Sequence, residues 1–302
     1  MFKSGYIAII GLPNVGKSTL LNAILGQKIA AVCAKPQTTR HRILGIKQLP
    51  QAQLLFLDTP GIHKPHRSLN EYMLEVTHAA LADADVFLFV VEPGQRISPK
   101  DIEIHEMLRT KKKPILLIMN KADRIEREKL LPLIEMWTKT YHAEIVIPAA
   151  ALAGVGISVI ETEIVKRLPE GPPYYPEDQL TDQSERFLVA EIIREKIMEL
   201  TKEEVPYSVA ILIEAFKEPK ETDARKLTRI RAAIVTEKDS QKIILVGKGG
   251  SMIKRIGESS RKDIEAQLGN QVFLELFVRV EKDWSHDPKK VKEFAYGGFG
   301  PP

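Results

Sequence analysis

Residues 11 to 18 read Gly-Leu-Pro-Asn-Val-Gly-Lys-Ser, which fits G-x-x-x-x-G-K-[ST] at every fixed position. Glycine at 11 and 16 lets backbone N–H groups turn inward around a chain of phosphates. Lys17 is placed to reach the β- and γ-phosphates of a nucleotide, and the Ser18 hydroxyl to hold Mg²⁺. The whole run of Gly11, Leu12, Pro13, Asn14, Val15, Gly16, Lys17, Ser18 and Thr19 is therefore expected to wrap a triphosphate. An apolar stretch, Tyr6 to Ile10, precedes it, and Thr19 to Leu25 follows with helical character. The motif thus sits between a strand and a helix whose N-terminal dipole favours anions.

Three further motifs follow in order. Pro36-Gln37-Thr38-Thr39-Arg40 lies in a polar stretch after the first helix. A threonine here completes Mg²⁺ coordination only when a γ-phosphate is present, which makes the loop a nucleotide-ordered switch. Thr39 is the preferred ligand and Thr38 the alternative. Asp58-Thr59-Pro60-Gly61 ends the apolar run Leu54 to Leu57. Its carboxylate is expected to reach Mg²⁺ through water, and the Gly61 N–H to approach the γ-phosphate. Asn120-Lys121-Ala122-Asp123 follows the run Pro114 to Met119. The Asp123 carboxylate accepts from both N1–H and N2–H of guanine. Adenine has no such donors, and a site built on hydrogen bonds rejects an analogue lacking them by about 10⁴-fold or more. The Lys121 stem is expected along the base and Asn120 against the phosphate loop. Ser18, Thr39 and Asp58 thus form the metal set, GTP or GDP and Mg²⁺ the cofactors, and Lys17, Thr39 and Gly61 the catalytic groups. Ile62 stands where many GTPases carry a water-orienting glutamine, and His63 beside it is a weak candidate base.

These motifs need a frame. In the first half, short apolar runs at Tyr6–Ile10, 43–48, 53–57, 85–91, 114–119 and 144–147 alternate with amphipathic stretches starting near Lys17, Ser68, Ser98, Glu126 and Gly156. That rhythm predicts an α/β P-loop NTPase: a six-stranded, mostly parallel sheet with helices on both faces. The turn at Leu49-Pro50-Gln51 predicts one antiparallel edge strand. Residues 168–178 hold four prolines and read as an extended, semi-rigid linker. The domain reading is 1–170 for GTP binding, 171–183 for the linker, and 184–302 for a smaller α+β domain with a turn-rich tail.

In that second domain we expect a helix at 184–202, strands at 208–215, 229–236 and 242–246, a helix at 251–268 and a strand at 272–280. Gly247-Lys248-Gly249-Gly250 falls between the third strand and the second helix, with Lys254 and Arg255 close behind. Ile243, Ile244, Ile253 and Ile256 read as core, with some available to line a groove. G-x-x-G in this setting resembles a KH domain, whose loop clamps the backbone of about four nucleotides of single-stranded nucleic acid. The resemblance assigns RNA contacts to Gly247, Lys248, Gly249, Gly250, Lys254 and Arg255.

The composition, 44% hydrophobic and 28% charged, is that of a water-soluble globular chain, and no apolar run reaches the roughly 18 residues of a membrane span. No signal peptide is visible ahead of the first strand. Cys33 is the single cysteine, which excludes an internal disulfide and suits a reducing cytoplasm. Net charge is +4 and nearly balanced in both halves, so any polyanion binding must come from a local patch.

The wording of the first three motifs, the linker and the second domain resemble the Era family of GTPases over residues 1 to about 296. The resemblance implies a type II KH domain and slow GTP hydrolysis. It implies binding to 16S rRNA near its 3′ end and a role in assembly of the 30S ribosomal subunit, by a cytoplasmic monomer. In relatives with this loop, the residue matching Asn14 helps hold K⁺ against the phosphates, where the ion does what an arginine finger does elsewhere; the resemblance thus adds Asn14 to the catalytic residues and K⁺ to the cofactors. A fifth family motif, Ser-Ala-x-x-Gly, falls at Ala150-Ala151-Leu152-Ala153-Gly154, with alanine in place of serine. Ala151 is still expected to offer its N–H to guanine O6. The rival readings are a membrane-associated GTPase, peripheral at the inner face of the cell membrane, whose second domain docks on lipid or protein, and an RNA-modifying enzyme; the second domain has no cysteine, metal-ligand cluster or cofactor loop for the latter.

Overall fold

The computed structural model describes residues 1–61, 68–94, 97–219 and 226–295. They divide into two compact units. The first takes Met1–Ala30, the described residues 39–61, and Met73–Asp182; the second takes Ala31–Thr38, the described residues 68–72, and the described residues 183–295.

In the first unit the apolar runs form strands β1 (Lys3–Ile10), β2 (Ile43–Leu49), β3 (Ala52–Asp58), β4 (Val86–Val91), β5 (Ile115–Met119) and β6 (Val146–Pro148). Their sheet order is β2-β3-β1-β4-β5-β6. All pairs are parallel except β2 with β3, the antiparallel edge expected from the Leu49-Pro50-Gln51 turn. Val86 to Val91 is buried throughout, as a strand covered on both faces requires. Helices α1 (Lys17–Leu25), α2 (Ser68–Asp83, of which Met73–Asp83 belong to this unit), α3 (Pro99–Arg109), α4 (Arg127–Tyr141) and α5 (Ile157–Arg167) alternate with the strands. One sheet face packs Phe87, Phe89 and Val91 against Ile104 and Leu108 of α3 and Trp137 and Tyr141 of α4. On the opposite face Gly45 admits α1: a Cβ there would stand 2.7 Å from Leu21 and 2.8 Å from Leu25. The proline-rich stretch lies along this unit: the Gln53 side chain accepts from Tyr174 N–H at 2.7 Å and Tyr175 N–H at 3.0 Å, and Ile46 N–H donates to Leu180 O.

The second unit is built on α6 (Glu185–Leu200), β7 (Ala210–Lys217), β8 (Leu227–Thr236), α7 (Asp239–Val246), α8 (Ser251–Leu268), β9 (Gln271–Val280) and α9 (Pro288–Ala295). β7 and β8 are antiparallel and β8 and β9 parallel, in the order β7-β8-β9. A parallel pair needs a long crossover, and α7 and α8 supply it. The strand expected at 242–246 is instead the last turns of α7. Gln241 decides this: its side-chain oxygen accepts from Glu237 and Lys238 N–H at 3.0 and 3.2 Å, capping a helix. Only Gln241 and Leu245 of α7, four residues apart, are buried, whereas Ile243 is 71% and Ile244 45% exposed. Those two isoleucines therefore lie outside the core that was expected to hold them. Ile256 is fully buried and Ile253 partly so. Helix α9 was not expected either. It docks through Val291 and Phe294, the latter edge-on to Trp284 at 5.6 Å. The glycine-rich tail beyond Ala295 lies outside the described residues.

Candidate functional site

The phosphate loop, Asp58, Asn120 and Ala150 follow the carboxyl ends of the parallel strands β1, β3, β5 and β6, where open α/β sheets bind ligands, while Thr39 lies ahead of the antiparallel β2. The loop after β1 folds tightly. A Cβ on Gly11 would meet the Val90 carbonyl at 2.2 Å, and one on Gly16, at φ 96°, would meet the Asn120 amide at 2.3 Å. Asn14 adopts φ 64°, which asparagine tolerates. The Lys17 ammonium is buried at the loop's centre and donates to the carbonyls of Gly11 at 3.1 Å and Leu12 at 3.0 Å. Burial pushes it down to about 8, against the pull of Asp58.

Asp58 ends β3, fully buried. Its Oδ2 accepts from Ser18 Oγ at 2.7 Å and Thr39 Oγ1 at 3.3 Å, and the two hydroxyls lie 2.9 Å apart. Burial raises this carboxyl above the usual carboxylate range, while Lys17, Ser18 and Thr39 lower it. Its Oδ1 has no partner. A buried carboxylate oxygen left open beside two hydroxyls is an all-oxygen set suited to a small hard cation, so these residues fit Mg²⁺. The hydroxyl brought here is that of Thr39. Thr38 turns its own back onto Lys35 O at 2.7 Å. Thr59 is buried with its hydroxyl on Ile9 O at 2.9 Å. Pro60 and Gly61 follow, and a Cβ on Gly61 would crowd Pro13 Cγ at 2.9 Å, so this turn lies directly on the phosphate loop. Ile62 and His63 lie outside the described residues.

Asn120 is the brace between loops. Its amide donates to Val15 O at 2.9 Å and its carbonyl oxygen accepts from Ala151 N–H at 3.0 Å. The Ala151 N–H expected at guanine O6 thus donates to Asn120 in this structure. Ala150 closes the same loop, exchanging N–H···O bonds with Val155 at 3.1 and 3.2 Å. Lys121, at φ 60°, donates to Asn14 O at 2.7 Å and pairs with Glu92. Asp123 lies exposed in a 3-10 turn, Ala122–Arg124.

In the second unit Gly249 and Gly250 take φ 59° and 80°, with nothing within 4 Å of either added Cβ, so backbone is open to a ligand there. Beyond them a groove of about 340 Å³ runs between α8 and β9, floored by Ile253, Gly257, Leu274 and Leu276 and rimmed by Lys254, Glu258 and Arg261. Lys254 is exposed, 4.0 Å from Glu258, and Arg255 is exposed on the same helix. Sequence reasoning named the loop and the cations but missed Gly257, Leu274 and Leu276; the half-exposed leucines alternating on β9 were the available signal.

Residues 6–121 match the family described as 50S ribosome-binding GTPase, and residues 204–285 match the KH domain family. The chain is 52% identical over 296 residues to GTPase Era of Syntrophus aciditrophicus (strain SB), covering 98% of this chain and 96% of that one. The chain belongs to the Era GTPase family. Among solved structures it resembles Era in complex with MgGDPNP and nucleotides 1506–1542 of 16S ribosomal RNA, at 41% identity and TM-score 0.93, covering 98% of this chain and 99% of that chain. An Era variant from Aquifex aeolicus bound to GDP·AlF₄⁻ matches equally, with the same identity, TM-score and coverage. As an Era-family member the chain is a GTPase. Its G-domain carries the phosphate loop, the oxygen cluster and the Asn120 brace in the places just described. Asn120→Ala leaves Val15 O and Ala151 N–H unpaired in the interior, at about 1–3 kcal/mol each. GDP and GTP affinity should both fall about tenfold to a hundredfold by titration, with no preference between them; unchanged affinity would remove Asn120 from the site.

Proposed function

We propose that this chain is a GTP-hydrolysing switch that binds 16S rRNA near its 3′ end and acts in 30S subunit assembly in the cytoplasm. Residues 1–170 carry the GTP chemistry and residues 184–302 the RNA binding. The observation that carries this reading is the pairing, in one chain, of a phosphate cradle over an oxygen cluster with an open glycine loop beside an apolar groove. The related Era structure with both MgGDPNP and 16S ribosomal RNA supports it.

In this reading the loop from Gly11 to Thr19 wraps the phosphates. Lys17 meets the β- and γ-phosphates, and the Gly61 N–H approaches the γ-phosphate. Ser18, Thr39 and Asp58 would hold Mg²⁺, which would supply positive charge against that developing on the phosphates. The transferred phosphoryl is attacked by water in line with the leaving β-phosphate oxygen, and the chain's part is positioning and charge stabilisation. Asp123 selects guanine, Lys121 lies along the base, and the loop at Ala150 and Ala151 closes over it. Asn14, exposed at the loop's crest, helps hold K⁺. In the second domain Gly247, Lys248, Gly249 and Gly250 clamp the RNA backbone, Lys254 and Arg255 neutralise phosphates, and the groove takes bases.

Lys248→Asp with Gly249→Asp sets negative charge and bulk against the RNA backbone. In a pull-down against fragments of the 16S 3′ end, binding should be lost while GTP hydrolysis continues at its basal rate. Undiminished RNA capture would refute the KH assignment, and capture by anionic liposomes instead of RNA would favour the membrane-docked reading. Turnover should be faster in K⁺ than in Na⁺ at equal ionic strength, and Asn14→Ala should abolish the difference. Equal rates in both salts would dismiss the potassium site.

A further inference from the structure

Glu92 directly follows β4, and Lys121 follows the adjacent parallel strand β5 by one residue. The Glu92 carboxylate is tied to the base-selecting loop through both of its oxygens. Oε2 accepts from the Lys121 ammonium, and Oε1 stands 3.5 Å from the Arg124 guanidinium. All three residues belong to the first unit, as does Asn14, whose carbonyl takes another hydrogen from Lys121 at 2.7 Å. Lys121 and Arg124 are three residues apart, and the Arg124 N–H donates to Lys121 O at 3.1 Å, closing one 3-10 turn. Side chains at that spacing eclipse one another, so both cations leave the turn on one side, where a single carboxylate meets them.

Asp123 lies between these two cations in the chain, exposed on the same turn. As the guanine acceptor it needs both carboxylate oxygens open, one for N1–H and one for N2–H. Lysine and arginine are long, and each carries several donors that suit a carboxylate. Asp123 is the carboxylate nearest in sequence to either of them. An ion pair between Asp123 and one of these neighbours would occupy the oxygens that the base requires. Among the described residues Asp123 makes no ion pair, while Glu92 takes both cations. We propose that Glu92 is a positioning residue for guanine recognition: by drawing Lys121 and Arg124 onto itself, it keeps the Asp123 carboxylate open to the base and the Lys121 stem against the phosphate loop. The inference rests on the reading of Asp123 as the residue that selects guanine.

The test titrates the intact chain with fluorescently labelled GDP, IDP and XDP. Hypoxanthine keeps N1–H and lacks the 2-amino group, so the ratio of GDP to IDP affinity reads the second bond to Asp123. Glu92→Gln removes the charge and keeps the shape of the side chain. GDP affinity should fall by about threefold to fivefold, the size of a partly exposed ion pair, and IDP affinity by less than about twofold, so that the ratio falls. Glu92→Asp keeps the charge and should retain more of the ratio. Arg124→Ala alone should leave GDP affinity within about twofold, since an exposed pair is worth little. Added to Glu92→Gln, it should restore more than half of the lost affinity, because it removes a cation that would otherwise turn onto Asp123. Unaltered GDP affinity in Glu92→Gln, equal losses for GDP and IDP, or no recovery on adding Arg124→Ala would each overturn the proposal. Asp123→Asn checks the underlying reading and should weaken GDP while admitting XDP. If it leaves GDP binding unchanged, the assignment of Asp123 falls first and takes the role of Glu92 with it. If it behaves as expected while Glu92→Gln changes nothing, only the role of Glu92 falls.

Discussion

A buried lysine and a buried carboxylate at the end of one sheet govern the first unit. Lys17 and Asp58 lie fully inside, held by two backbone carbonyls and two hydroxyls respectively. Taking either charge out of water is costly without compensation. The arrangement is sustained because the fold brings opposite charge and dense hydrogen bonding together at the strand ends, and because a polyanion with a divalent cation would complete it. The tight loop at Gly11 and Gly16, the Asn120 brace and the closeness of Gly61 to Pro13 all follow from wrapping backbone around that pair without admitting side chains.

The second unit solves a different electrostatic problem. Its glycine loop keeps backbone exposed, and its groove is apolar below and charged at the rim. That suits a ligand with a charged backbone and stackable faces, where phosphates give affinity and bases give selectivity. Its buried charges lie elsewhere, on α6.

Much of this was legible in the sequence. Continuous apolar runs identified the parallel strands, and motif residues at their ends located the phosphate loop, Asp58 and Asn120. The antiparallel β2 was readable from a turn of three residues. What was not legible depended on long-range partners or on ambiguous periodicity. Ile243-Ile244-Leu245-Val246 is as apolar as a strand, and only the Gln241 cap makes it a helix with two exposed isoleucines. That the oxygen of Asn120 accepts from the Ala151 N–H, 31 residues away, has no local signal in the sequence. Glu92 and Lys121 are 29 residues apart, and nothing local marks that carboxylate as the holder of that ammonium.

The proposal that the chain is a GTP-dependent switch for 16S rRNA requires that the state of the γ-phosphate change its affinity for that RNA. Linkage makes such coupling reciprocal and measurable as a ratio of affinities. The direct measurement is the affinity of the intact protein for a 16S 3′-end fragment with GDP and with a non-hydrolysable GTP analogue, in Mg²⁺, alongside Thr39→Ala. The account predicts tighter RNA binding with the analogue, by about 5- to 150-fold for coupling of ordinary size, and no difference in Thr39→Ala. Equal RNA affinity in the two nucleotide states would contradict it and leave two independent modules on one chain.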